Sequence, residues 1–179
     1  MTIETQIDQL DKIFSPYITA MGDDFEGYRN HVLRMLNFCF YLAKPSEVER
    51  QKLIIAAAFH DIGLWTKGTV DYIDPSIDEM RKYLIENELT EWDEEIELMI
   101  SEHHKLTPFN SELFPLVEVF RKSDLVDFSF GAVKHGIDAG FIKEVRDAVP
   151  NAGFHKTLIR FTFEQVKQNP FKLLPMMKW

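Results

Sequence analysis

The sequence predicts an all-α fold, a single compact domain of about seven to eight helices spanning residues 1–179. No stretch holds a sustained period-two alternation of apolar and polar residues, and only eight glycines punctuate the chain. Apolar residues recur instead at spacings of three and four, the pattern of helices with one buried face. Residues 53–59 read Leu-Ile-Ile-Ala-Ala-Ala-Phe and run straight into His60-Asp61. A helix that is apolar all round is buried all round, so this one belongs at the centre with the others packed around it.

A first helix is expected over about 5–17, with Ile7, Leu10, Ile13 and Phe14 as its apolar stripe. Asp23 or Asp24 can cap a second, about 25–43, whose stripe is Phe25, Tyr28, Val32, Met35, Leu36 and Cys39, with His31 at its edge. Pro45-Ser46 ends it, and Ser46 with Glu49 forms a capping box for the buried third helix. Gly63 supplies the left-handed turn after that helix. Residues 64–74 read as a loop, and Asp74-Pro75 opens a fourth helix with proline at its first position. Thr90 with Asp93 opens a fifth, carrying Trp92, Ile96, Met99, Ile100 and His103 on one face, with His104 one step around. After a loop at 105–111, a sixth helix is expected over about 112–130, with Leu113, Val117, Phe120 and Phe128 apolar and Asp124 near the centre of that face. Residues 131–140 are turn-rich, two further helices lie at about 141–149 and 154–168, and an apolar, proline-punctuated tail closes the chain at 170–179.

Composition narrows the function. Apolar residues are 45% and charged residues 27%, as in soluble globular proteins, and fifteen phenylalanines suggest an aromatic core. The net charge of −9 argues against nucleic acid or an anionic membrane as partner, since both want a basic face. It leaves room for a small anionic substrate held locally. The single cysteine, Cys39, permits no intrachain disulfide and is expected as a small core residue, so a cytoplasmic location is the expectation. The first residues lack the basic and apolar regions of a signal peptide, and no apolar run is long enough for a membrane span. The apolar tail fits a homodimer contact or packing against its own domain.

Four side chains place charge or imidazole on or beside a buried face: His31, His60, Asp61 and Asp124. His60 and Asp61 can reach one ion from a helix end, and His31 and Asp124 can close on it from two other helices. Such a mixed N/O set suits one Mn²⁺, Fe²⁺, Co²⁺, Ni²⁺ or Zn²⁺ rather than Ca²⁺, with open positions left for water or substrate. The competing reading gives Asp124 an ion pair with Arg121.

In combination, His31, the run Ala56-Ala57-Ala58-Phe59-His60-Asp61-Ile62-Gly63, the pair His103-His104 and the segment Ser123-Asp124-Leu125-Val126-Asp127 resemble the HD-domain superfamily of metal-dependent phosphohydrolases. The resemblance covers about 28–127, so the family-like core is 25–130, with the helices and tail of 139–179 packed on it. It implies His31, His60, Asp61 and Asp124 as metal ligands and a hydrolase acting on a small phosphate ester such as a nucleotide. Other superfamily members are hydratases or iron oxygenases, and a non-catalytic HD-like binding module is a further alternative. Binuclear members add a histidine about twenty residues after the His-Asp pair. Residues 74–94 hold none, so one metal is expected. Leu64 stands where the cyclic-dinucleotide branch often has lysine, which speaks against that branch.

Within that reading Asp61 is the base, because its second oxygen can face the attacking water, and His103 and His104 bind phosphate or transfer protons. The alternative for the two histidines is core packing and a backbone hydrogen bond. Arg29 and Lys67 are candidate anion binders, Asp127 can orient a ligand or water, and the 64–72 loop is expected at the rim of the pocket. Trp65 and Tyr72 either stack a flat substrate group or pin that loop to the core.

Overall fold

The computed structural model describes residues 2–168. Among these no strand occurs, and helices joined by turns and irregular connections make up the structure. The helices are α1 (Asp8–Phe14), α2 (Ile18–Met21), α3 (Phe25–Ala43), α4 (Glu47–Phe59), α5 (Gly63–Thr66), α6 (Ile73–Glu86), α7 (Asp93–Glu102), α8 (Pro115–Phe128), α9 (Ala139–Ala148) and α10 (Phe154–Gln168). Two of them, α2 and α5, are single turns. The expected first helix is broken at Ser15–Tyr17 into a 3-10 turn around Pro16, because proline cannot donate to an α-helical bond.

The centre is α3 and α4. On α4, residues 53–59 are all buried, as a run without a polar side requires. Its start carries the full capping box, with Ser46 and Glu49 each bonding the other's backbone. α3 is more buried than its stripe predicts: Asn30, His31, Arg34 and Asn37 on its polar side are enclosed as well. α8 packs along α3, α7 lies against α4 and α8, and α6 covers α4 and α7. α1 seals one side of α4, and α9 and α10 lie on α3. Cys39 is a buried core residue on α3, and burial pushes its thiol up to about 12.

Several local expectations are corrected. Asp24 stands at the N-cap of α3 but makes no cap bond. Its carboxylate accepts from Trp65 Nε1 (3.0 Å) and Thr157 Oγ1 (2.8 Å) and pairs with Arg160, which ties α10 to α5. Gly63 does not take a left-handed turn. It begins α5, and a Cβ there would stand 2.4 Å from the Tyr72 carbonyl oxygen, so glycine serves close packing rather than an unusual φ. Pro75 is the third residue of α6, not the first. α8 begins at Pro115 rather than 112, which leaves Leu113 82% exposed on the preceding connection, and Phe128 at its end is half exposed. No helix of the described residues is long and apolar enough to cross a membrane. The tail at 170–179, and any dimer contact through it, lies outside the described residues.

Candidate metal centre

Five chain segments bring their polar side chains to one point in the core. α3 presents His31, the end of α4 presents His60, and the turn after it presents Asp61. α8 presents Asp124, and His103 follows the last turn of α7. None of the five is more than 6% exposed, so each needs a partner inside the protein. His31 Nε2 and His60 Nε2 are 3.2 Å apart, Asp61 Oδ2 is 3.2 Å from His60 Nε2, and Asp124 Oδ1 is 3.4 Å from His31 Nε2 and 4.0 Å from His60 Nε2.

The imidazoles are aimed by what their other nitrogens hold. His60 Nδ1–H donates to the Ala57 carbonyl at 2.8 Å, and His103 Nδ1–H donates to the Ile100 carbonyl at 2.6 Å. Each histidine stands just past the end of a helix and satisfies a carbonyl three residues back, one of those a helix end leaves without an N–H. With Nδ1 protonated, each Nε2 turns a lone pair inward. On His31, Nδ1 donates to Asp127 Oδ2 at 2.8 Å, and Arg34 grips that carboxylate with two bonds of 2.6 and 2.7 Å. Asp124 and Asp127, one turn apart on α8, thus address the two nitrogens of the same ring. Phe154 stacks on His31 with ring centres 4.0 Å apart and planes 7° from parallel. Gly27 on α3 makes room for that approach, since a Cβ there would lie 3.0 Å from Phe154 N and from the Ala152 carbonyl oxygen. Tyr28 lies beneath the turn: its hydroxyl donates to the Ala58 carbonyl (3.1 Å) and accepts from Asp61 N–H (3.2 Å).

The electrostatics are those of a site short of positive charge. Burial acts against ionising Asp61 and Asp124, yet the facing imidazoles hold both below the ordinary carboxylate range. Burial pulls His31 down, but Asp124 and Asp127 outweigh it and raise the imidazole to about 9. Among the described residues no lysine or arginine pairs with Asp61 or Asp124. Arg121, the expected ion-pair alternative for Asp124, instead holds Glu118 through Nε (2.7 Å) and Nη2 (2.8 Å).

A divalent cation fits this arrangement. Ligand atoms about 2.1 Å from one ion stand roughly 3.0–3.4 Å apart, close to the separations observed. His31, His60 and Asp61 offer ligand atoms within 4.8 Å of one another, a nitrogen and oxygen set suited to a first-row transition metal, while Asp124 stands outside that group with its Oδ1 near the two imidazoles. Two further buried atoms, Asp61 Oδ1 and His103 Nε2, make no hydrogen bond among the described residues and face each other at 3.5 Å.

Asp61 therefore faces two ways, with Oδ2 toward His60 and Oδ1 toward His103. With His104 it forms a second group whose ligand atoms lie within 4.8 Å of one another. Burial and the neighbouring His103 push His104 down to about 3, so its ring is neutral, and its Nε2 shares a hydrogen bond with the Tyr72 hydroxyl. A cavity of about 180 Å³ opens on Asp61, Asp124, His103, His104 and Tyr72.

The other candidates lie elsewhere. Arg29 pairs with Asp11 (2.7 and 3.0 Å), Lys67 is exposed, and neither lines the cavity. Asp127 is enclosed behind His31 and cannot touch a substrate. Trp65 is committed to Asp24 and to the Tyr28 ring, 4.6 Å away, so it pins its loop to the core. Arg34, Tyr28 and Phe154 were not singled out by the sequence. For Arg34 a signal existed: it is three residues from His31 and so on the same side of the helix. Nothing local marks Phe154, whose partner is 123 positions away.

A family model described as HD domain matches residues 28–128, more than half of the chain. No curated protein and no solved structure matches. The matched segment runs from Tyr28 on α3 to the end of α8 and contains each histidine and carboxylate that converges on the centre, and on this match the chain belongs to the HD-domain family.

Proposed function

We propose that this protein is a metal-dependent hydrolase that cleaves a phosphate ester of a small molecule, with one divalent transition metal held by His31, His60, Asp61 and Asp124. The observation that carries the reading is the pair of inward-facing Nε2 atoms 3.2 Å apart with two carboxylates beside them, each 3.2–4.0 Å from an imidazole nitrogen, and with no lysine or arginine paired to either carboxylate among the described residues. HD-domain proteins are mostly metal-dependent hydrolases, which agrees with it.

A divalent metal bound there supplies Lewis acidity for a phosphoryl oxygen and lowers the pKa of water beside it. The protein's own groups do the rest. Asp61, which lines the cavity and whose Oδ1 makes no hydrogen bond among the described residues, takes a proton from the attacking water. Burial opposes protonation of His103, but Asp61 and Asp124 raise its pKa, so the ring can take a second proton on Nε2 and give it to the departing oxygen. The pair of Tyr72 and neutral His104 offers hydrogen bonds to the phosphoryl group without adding charge.

A second reading has its own observation. Asp61, His103 and His104 could hold a second ion, and a two-metal centre would be open to oxygenase as well as to hydrolase chemistry.

The deciding experiment is metal analysis of protein purified without chelator, beside His60→Ala and a screen of phosphate esters. About one transition metal per chain, lost in the variant, with phosphate release that stops on chelation, is the expected result. About two irons per chain and no phosphate release would favour the second reading. No metal, and no rebinding of Mn²⁺, Fe²⁺ or Zn²⁺, would overturn both.

A further inference from the structure

We infer that the substrate carries its one polar reacting group on an uncharged, apolar body the size of a single ring or a branched alkyl chain. The inference rests on the proposed hydrolase reading for the identity of the reacting group, and on the cavity itself for the body.

The cavity is polar at one end only. Asp61, Asp124, His103 and His104 gather at the floor, and away from them the walls are Leu64, Val70, Leu125, Phe154, Leu158 and Phe161. Thr162 brings one hydroxyl to this wall, and that hydroxyl already donates to the Leu158 carbonyl at 2.9 Å. Beyond the reach of Tyr72 and His104 near the floor, the hydroxyls of a sugar would leave water against these walls without a partner, at a cost of a lost hydrogen bond each.

Charge gives the same answer. A chain of phosphates needs several lysine or arginine side chains, or bidentate arginines, to offset its charge. Lys105 is the only lysine or arginine lining the cavity among the described residues. Its ammonium is already 3.6 Å from Glu102 and 5.6 Å from the centre of the Phe109 ring. The nearby arginines are committed: Arg34 to Asp127, Arg121 to Glu118 and Arg29 to Asp11. Beyond the one group held at the floor, a nucleoside di- or triphosphate finds little charge and few hydroxyl partners among the described residues.

Size narrows the body further. At about 180 Å³ the cavity is slightly larger than the roughly 150 Å³ that suffices for one benzene in an apolar protein interior. That space encloses a substituted ring or a short branched chain, and a base joined to a ribose would have to extend out of its open side.

The test uses the full chain and two independent readouts. The first is binding of benzyl alcohol to the metal-free protein, followed by amide chemical shifts, in the parent, in Leu106→Asp and in Leu158→Asp. Leu106 also lines the cavity and is 50% exposed, so a carboxylate there leaves the fold intact, which a thermal melt verifies. Binding that is weakened about tenfold or more in both variants is expected, the scale of one buried ring. The second readout is kcat/KM for benzyl phosphate against ribose 5-phosphate and ATP with metal-loaded protein. A preference for benzyl phosphate of about tenfold or more is expected. Benzyl alcohol bound at these residues with no ester hydrolysed would support the apolar body and overturn the phosphate reading. Hydrolysis of ribose 5-phosphate or ATP as efficient as that of benzyl phosphate would overturn the inference and leave the hydrolase standing. So would a benzyl alcohol affinity that neither variant changes, or no binding at all.

Discussion

Asp127 does not line the cavity, yet it sets the state of an imidazole that faces Asp124 and His60. Its carboxylate is shared between His31 Nδ1 and Arg34, and all three are buried. Burial opposes its ionisation, but the histidine and the guanidinium hold it down to about 2, so it stays a full negative charge. Asp127→Asn keeps the shape and removes that charge, leaving Arg34 buried against a neutral amide. Breaking a buried ion pair from one side costs about 3 kcal/mol or more, and denaturant melts of the metal-free variant should show that loss. With His31 as a ligand of the proposed metal, losing the carboxylate behind it should also weaken metal affinity by about ten- to a hundredfold, measurable by competition with a chelating dye. Adding Arg34→Met should restore much of the stability and none of the affinity, and an unchanged metal affinity would limit Asp127 to a structural role. His60, Asp61 and Asp124 could be singled out in the sequence because each interrupts an apolar face, which is costly without a reason. The role of Asp127 could not be read there, because its two partners lie 96 and 93 positions away and only the packing of α8 on α3 brings them together.

The same division between local and distant information holds for the helices. The bounds of α3 and the capping box of α4 were legible because caps and periodicity act within a few residues. The start of α8 was not, because the 105–114 connection is shaped by side chains reaching back to it. Glu118 accepts from Phe109 N–H at 2.9 Å and from Arg121, and Arg121 Nη1 donates to the Lys105 carbonyl at 3.0 Å. One ion pair in the first turns of α8 thus anchors the connection at two points and keeps His103 and His104 aimed. Burial would raise Glu118, but Arg121 and the Phe109 amide outweigh it and hold the carboxyl down to about 2, against an ordinary 4.5. A group whose pKa is lower in the folded state stabilises the fold above its unfolded pKa, and that contribution fades as pH falls through the folded value. Glu118→Gln should therefore be less stable than the parent at pH 7, with the difference shrinking from about pH 4.5 and gone near pH 2. Urea midpoints across that range check it, and a difference that stays constant would mean the charge of Glu118 is not what holds the connection.

At the level of the whole molecule, metal and fold should be linked, because the ligands come from three helices and a turn that meet only in the native state. An ion that binds the folded chain alone stabilises it by about 2.7 kcal/mol at a free concentration a hundred times its dissociation constant. For a domain of this length that is a rise in Tm of roughly 5–10 °C. Calorimetry with Mn²⁺ or Zn²⁺ and with EDTA should show that shift in the parent and none in Asp61→Asn. Equal melting temperatures in the parent would mean the centre does not load. The all-α architecture was legible at this scale because no period-two stretch competes with it, while the filling of α3 on every side was not, since burial of its polar face depends on α8, α9 and α10 arriving later in the chain. The two histidines that close α4 and α7 carry one more consequence. Each stands one residue past its helix and is locked to the carbonyl three positions back, so the number of residues in the helix acts as a gauge that sets the direction of the ring. One residue inserted within either helix would swing its histidine by about 100° away from the centre. One added in the turn-rich connection at 131–138 would leave both helix lengths unchanged and be taken up there.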